Sequence, residues 1–132
     1  MNLKKKGFYE NLQKEGLAIL KLHEKLNELN INHEFFDRKS ESIKLAESKK
    51  EIEIIKEIKP FDFQIRIKEN GNELSLIQCA YSYGITQNLI EVYNFQHEPV
   101  ILDHEIAAEL ISKKKLNSYI IAINDKTDED LE

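Results

Sequence analysis

Apolar side chains recur through residues 8–30 at Leu12, Ile19, Leu22, Leu26 and Leu29, spaced seven, three, four and three apart. Those spacings place them on one face of a helix. Gly16 falls inside the stretch, where glycine costs ~1 kcal/mol against alanine, and Asn30 and Asn32 punctuate its end. The seam lasts fewer than three heptads. Packing on a sheet is therefore the preferred reading, with helix-mediated homodimerisation as the alternative. His33 to Arg38 predicts a short strand carrying Phe35 and Phe36. Residues 40–59, rich in lysine, glutamate and isoleucine, predict a helix opened by Ser40 or a mobile excursion, ended by Pro60.

A period of two then takes over. Phe61, Phe63, Ile65 and Ile67 alternate with Asp62, Gln64, Arg66 and Lys68, and Leu74, Leu76, Gln78 and Ala80 alternate on the return. This is a hairpin of half-buried strands. Asn70-Gly71 between them tolerates the positive φ that a type I′ turn needs at both positions. With those two residues as the loop, Ile67 faces Leu74, Ile65 faces Leu76, Phe63 faces Gln78 and Phe61 faces Ala80. Lys68 then faces Glu73 and Asp62 faces Cys79. A slip of one residue would set Leu74 against a polar side chain, so the register is well specified.

Beyond Tyr81-Ser82-Tyr83-Gly84, Thr86 predicts the cap of a short helix through Leu89, Ile90 and Tyr93. Residues 94–102 read as a loop around Pro99. Asp103 predicts the cap of another helix, with Ile106, Ala107, Leu110 and Ile111 inward and Lys113, Lys114 and Lys115 at its C-terminal end. Tyr119 to Asn124 read as a last strand. The whole predicts an α+β fold: an antiparallel sheet centred on the β-hairpin, with N-terminal and C-terminal helices packed mainly on one face. Residues 1–124 form the single domain, and 125–132 an acidic flexible tail.

Charge refines this outline. The chain of 132 residues carries a net −5. The tail from Asp125 holds five acids and one lysine, so residues 1–124 sum to about −1. A nearly neutral body argues against a DNA mimic and equally against a general basic footprint. Cys79 is the only cysteine, which suits a reducing compartment, and no apolar run approaches the ~20 residues of a membrane span. The expected setting is the cytoplasm of a host cell.

No catalytic, cofactor-binding or metal-ligating set emerges from the motifs. His23, His33, His97 and His104 lack zinc spacing, and His-Glu-x-x-His is absent. Asp103, His104 and Glu105 form the one candidate cluster for a metal-dependent enzyme. On the hairpin, Asp62 and Glu73 lie too far apart in the expected register to share an ion. Cys79, placed mid-strand, reads as structural. The lysines 113–115 are candidates for phosphate contact in a nucleic-acid-binding module, although no aromatics interleave with them to stack bases. Tyr81, Tyr83, Tyr93 and Phe95 are the candidate partner-binding residues, because tyrosine offers a large contact area at small entropic cost; ordinary core packing of the short helix on the sheet is the preferred reading of the same residues.

His33-Glu34, Gln64-Ile65, Ser82-Tyr83-Gly84, Leu89-Ile90-Glu91 and Asp103 occur in an order that resembles small uncharacterised proteins of prophages and mobile elements in Gram-positive bacteria. The resemblance spans about residues 17–112. The chain departs from it at the inserted residues 40–59, at Phe61-Asp62-Phe63 and in the added residues 117–132. The resemblance implies a phage or mobile-element accessory protein. The functional expectation is a non-enzymatic protein that binds a host or phage macromolecule, a protein before a nucleic acid, with an inhibitor of host defence of the anti-CRISPR type as one form.

Overall fold

The computed structural model describes residues 16–38, 61–79 and 82–131. Helix α1 (Ala18–Glu28) leads into β1 (Glu34–Asp37), followed by the hairpin β2 (Asp62–Glu69) and β3 (Asn72–Cys79). A 3₁₀ turn (Ile85–Gln87), β4 (Ile90–Tyr93), β5 (Val100–Leu102), α2 (His104–Ser112) and α3 (Leu116–Leu131) complete the order. The five described strands pair antiparallel in chain order β1-β2-β3-β4-β5. This is an α+β meander with helices flanking the sheet.

The hairpin forms in the register that its polarity specifies: Ile67 opposes Leu74, Ile65 opposes Leu76, Phe63 opposes Gln78 and Lys68 opposes Glu73. Asn70 at φ 50° and Gly71 at φ 83° make the left-handed turn. The expected Phe61–Ala80 pair lies outside the described residues, as do residues 40–59. Extending the same parity through β1, β4 and β5 puts Phe35, Ile90, Val92, Val100 and Leu102 on the face of Ile65 and Leu76. That face meets Ile19, Leu22 and Leu26 of α1, Ala107, Ala108 and Ile111 of α2, and Leu116 and Ile120 of α3 in one core. Each large aliphatic side chain so buried contributes roughly 1.5–3 kcal/mol. Of the leucine seam, Ile19, Leu22 and Leu26 are thus consumed by the core and Leu29 stays half-exposed, while Leu12 lies outside the described residues.

Five local expectations are corrected. On α2, Ile106, expected inward, is exposed, and Ala108 is buried instead. Gly16 adopts φ +82° and stands before α1, not within it; the part of residues 8–30 before it lies outside the described residues. The region after Thr86 is a single 3₁₀ turn, closed by Asn88 in the left-handed region, and Ile90–Tyr93 is a strand. Ile90 and Val92 alternate into the core beside β3, and pairing there outweighs helix formation. Residues 94–102 include β5 as well as the loop around Pro99. The stretch 119–124 is helical, because Leu116 and Ile120, four residues apart, both reach the core. Helix α3 continues through Asp125 to Leu131.

The two helix ends at Asn30 and Lys114 share one design. Each takes a left-handed residue after the cap, φ 56° and φ 57°. At Asn30 the bonds are Ile31 N–H to Leu26 O (2.9 Å) and Asn30 N–H to Asn27 O (3.1 Å); at Lys114 they are Lys115 N–H to Leu110 O (2.9 Å) and Lys114 N–H to Ile111 O (3.0 Å). This is the Schellman pattern, with asparagine and lysine where glycine is usual.

Candidate functional site

Three of the partner-binding candidates lie around β4: Tyr83 in the turn before it, Tyr93 at its end and Phe95 in the turn after it. Tyr93 projects from the sheet face opposite the helical core, since it opposes Ser75 and not Leu76. Phe95 follows it at φ +72°, an uncommon conformation for a bulky side chain, and remains 58% exposed. Its ring meets that of Tyr93 edge-on, with centroids 4.8 Å apart. The turn is held by Asn94, whose side-chain oxygen accepts from Gln96 N–H and His97 N–H (both 3.1 Å). The Asn94 amide nitrogen also donates to Asn117 Oδ1 (2.9 Å), tying the turn to the first residues of α3. The strain at Phe95, of order 1–3 kcal/mol, is therefore sustained by hydrogen bonds on both sides of it.

Tyr83 is 68% exposed, and its backbone N–H donates to Glu91 Oε2 (3.2 Å). Gly84 follows at φ +82° and packs so closely that an added Cβ would lie 2.4 Å from Ile101 Cγ2. Ile101 opposes Glu91 on the same face as Tyr93 and is 42% exposed. Tyr93 and Ile101 thus share the sheet face away from the core, with Tyr83 in the turn before β4 and Phe95 in the turn after it. Ile101 was missed in the sequence because residues 94–102 read as loop. The signal available was Val100-Ile101-Leu102 after a proline, in which only the middle residue can point outward. Tyr81 lies outside the described residues.

The lysine cluster sits in the α2–α3 turn, and all three side chains are exposed. Lys113 Nζ donates to Glu109 Oε1 (2.8 Å), and this bond, with the charge of Lys113, holds the Glu109 carboxyl below its ordinary range. Lys114 and Lys115 supply the Schellman backbone bonds. Asp103 caps α2 as expected, accepting from Ile106 N–H at 2.7 Å. His104 and Glu105 then line an open groove of about 590 Å³ between α2 and α1, with Lys21, Glu24, Glu28 and Glu109. Among the described residues, no three His, Cys, Asp or Glu side chains converge to hold a metal ion. Asp62 is bound by Arg38 (3.0 Å), and Glu73 pairs with Arg66 (3.8 Å) at the other end of the hairpin. Among the described residues no helix is long and apolar enough to cross a membrane.

One pairing was not legible in the sequence. His23 and His33, on either side of the α1–β1 turn, meet with Nδ1 and Nε2 2.8 Å apart. Compared with known proteins, the chain matches no family model, no curated protein and no solved structure.

Proposed function

We propose that the protein is a non-enzymatic binding protein that holds a partner protein against Tyr83, Tyr93, Phe95 and Ile101. The observation that carries this reading is Phe95: an exposed aromatic ring kept in a left-handed turn and braced by Tyr93 and Asn94. Backbone strain held by surrounding bonds is characteristic of functional positions, and rigid exposed aromatics are the usual anchors of protein interfaces. In the phage setting that the sequence resemblance implies, the partner is a host or phage macromolecule, a host-defence effector being one form.

Immobilised protein, exposed to host lysate and to phage-infected lysate, tests the reading. The expected outcome is a captured protein that the Tyr83→Ala/Phe95→Ala variant binds at least ~30-fold more weakly, the loss of ~2 kcal/mol typical of an interface anchor. Capture unchanged by that variant removes the surface from consideration. Capture that instead falls steeply with salt, and is lost on replacing Lys113, Lys114 and Lys115 by alanine, assigns the function to nucleic-acid binding through the lysine cluster.

A further inference from the structure

The structure assigns a second device to the opposite edge of the sheet: we infer that His23 and His33 form an acid-sensitive latch between α1 and β1. The proton positions follow from the partners. His33 Nδ1 lies 2.8 Å from the carbonyl oxygen of Ile31, which can only accept, so this nitrogen carries a hydrogen. In a neutral ring, Nε2 of His33 is then an acceptor, and His23 Nδ1, 2.8 Å away, must donate to it. His23 Nε2 is left as an acceptor facing the Asn27 amide nitrogen at 3.5 Å. With both rings neutral, one arrangement of hydrogens runs from Asn27 through His23 and His33 to Ile31.

This chain ties helix to strand. Asn27 and His23 belong to α1, Ile31 closes its Schellman end, and His33 immediately precedes β1. His23 also stacks on Phe35 of β1 (centroids 4.1 Å, planes 19° apart), and Phe35 in turn stacks on Phe63 of β2 at 5.7 Å. A first proton can enter at His23 Nε2 if the Asn27 amide turns its oxygen inward. A second has no such place. It would fall on His33 Nε2, set donor against donor at 2.8 Å and place two charges side by side.

The surrounding groups do not cancel that conflict. On α1, Glu24 favours a charged His23, but burial and the charge of His33 outweigh it and lower the ring's proton affinity. The face of Phe35 also favours a cation, by a modest amount at a partly exposed site. Around His33, Glu34 of β1, Arg66 and Lys68 of β2 and Glu73 of β3 line one pocket with signs in balance. The sign of the pH effect follows. Because the folded pair keeps its hydrogen bonds with both rings neutral and cannot keep them with both charged, the pair takes up its second proton less readily folded than unfolded. The latch therefore holds at neutral pH, and its contribution is lost as pH falls through the imidazole range.

The test uses the full chain. Ring protonation of His23 and His33 is followed by NMR between pH ~7.5 and ~5, together with hydrogen-exchange protection of the amides from residue 29 to residue 35. The expected result is a drop in protection of ~10-fold or more as the second ring becomes charged, the effect of one pK unit. His33→Gln can accept from His23 but cannot take a proton, so its protection should stay level over the same range. The latch is overturned by either of two findings in the natural chain, both rings charging with protection unchanged, or neither ring charging by pH ~5. Equal loss of protection in His33→Gln overturns it as well.

Discussion

The clearest single-residue effects lie where α1 begins. Leu17, at its N-cap, offers no side-chain acceptor, so the first N–H groups of the helix need partners from elsewhere. Asn88 Oδ1 accepts from Ala18 N–H (3.0 Å), and Gln78 Oε1 accepts from Ile19 N–H (2.9 Å). Asn88 Nδ2 donates to Gly16 O (2.9 Å), and Gln78 Nε2 donates to Asn88 Oδ1 (2.8 Å). Two side chains some 60 to 70 residues downstream thus cap the helix. In the sequence, Gln78 is only the polar break in an apolar strand face; its purpose depends on which helix end lands on it. Gln78→Leu keeps the volume but strands the Ile19 amide in the core. It should cost about 1–3 kcal/mol in urea unfolding. Asn88→Gly keeps the left-handed backbone and removes only the bonds, so a similar loss there would show that the side chain matters more than the φ angle.

At the scale of elements, the same solution recurs at α3. Glu69, the last residue of β2 and buried to 5% exposure, accepts from Leu116 N–H on Oε1 (3.0 Å) and from Asn117 N–H on Oε2 (2.8 Å). A carboxylate here satisfies two free amides and complements the positive end of the helix. Glu69→Ala is expected to lower stability by about 1–2 kcal/mol, and Glu69→Gln, which can offer one oxygen and no charge, by less. Chemical unfolding of both variants checks the order. The cap explains why Tyr119-Ile120-Ile121 misleads. β-branched residues favour a strand locally, but a helix started by Glu69 places Leu116 and Ile120 in the core, and tertiary packing overrides propensity. At β4 the override runs the other way, from a predicted helix to a strand. Asp103 at the start of α2 was legible because its cap is local, three residues from its partner.

For the molecule as a whole, one sheet face carries the core and every described helix contributes to it. The heptad-like seam of α1 is therefore interior. Leu22, fully buried, and Leu29, 43% exposed, separate the two readings of that seam. Leu22→Ala should cost about 2–5 kcal/mol by loss of burial and creation of a cavity, whereas Leu29→Ala should stay within about 0.5 kcal/mol. Equal costs, measured by urea unfolding, would place the seam at an interface between copies of the chain.

What the sequence determined by itself was whatever short-range chemistry decides. The alternating strands, the Asn-Gly turn and its register, the Asp103 cap and the inward face of α1 all depend on residues a few positions apart; on α2 Ala107 and Ile111 turn inward as expected, whereas Ile106 stays exposed and Ala108 takes a core position. Tyr83, Tyr93 and Phe95 could be named as candidates from the sequence, but neither the exposure of Tyr83 and Phe95 nor the place of Ile101 beside them could. Tertiary structure decided the rest. The helical state of α3, the strand state of β4, the capping roles of Gln78, Asn88 and Glu69, and the meeting of His23 with His33 depend on where distant backbone ends arrive. Their physical cause is common to all: a buried N–H, carbonyl or ring nitrogen must find a partner. When the neighbouring residues supply none, the fold brings one from far along the chain.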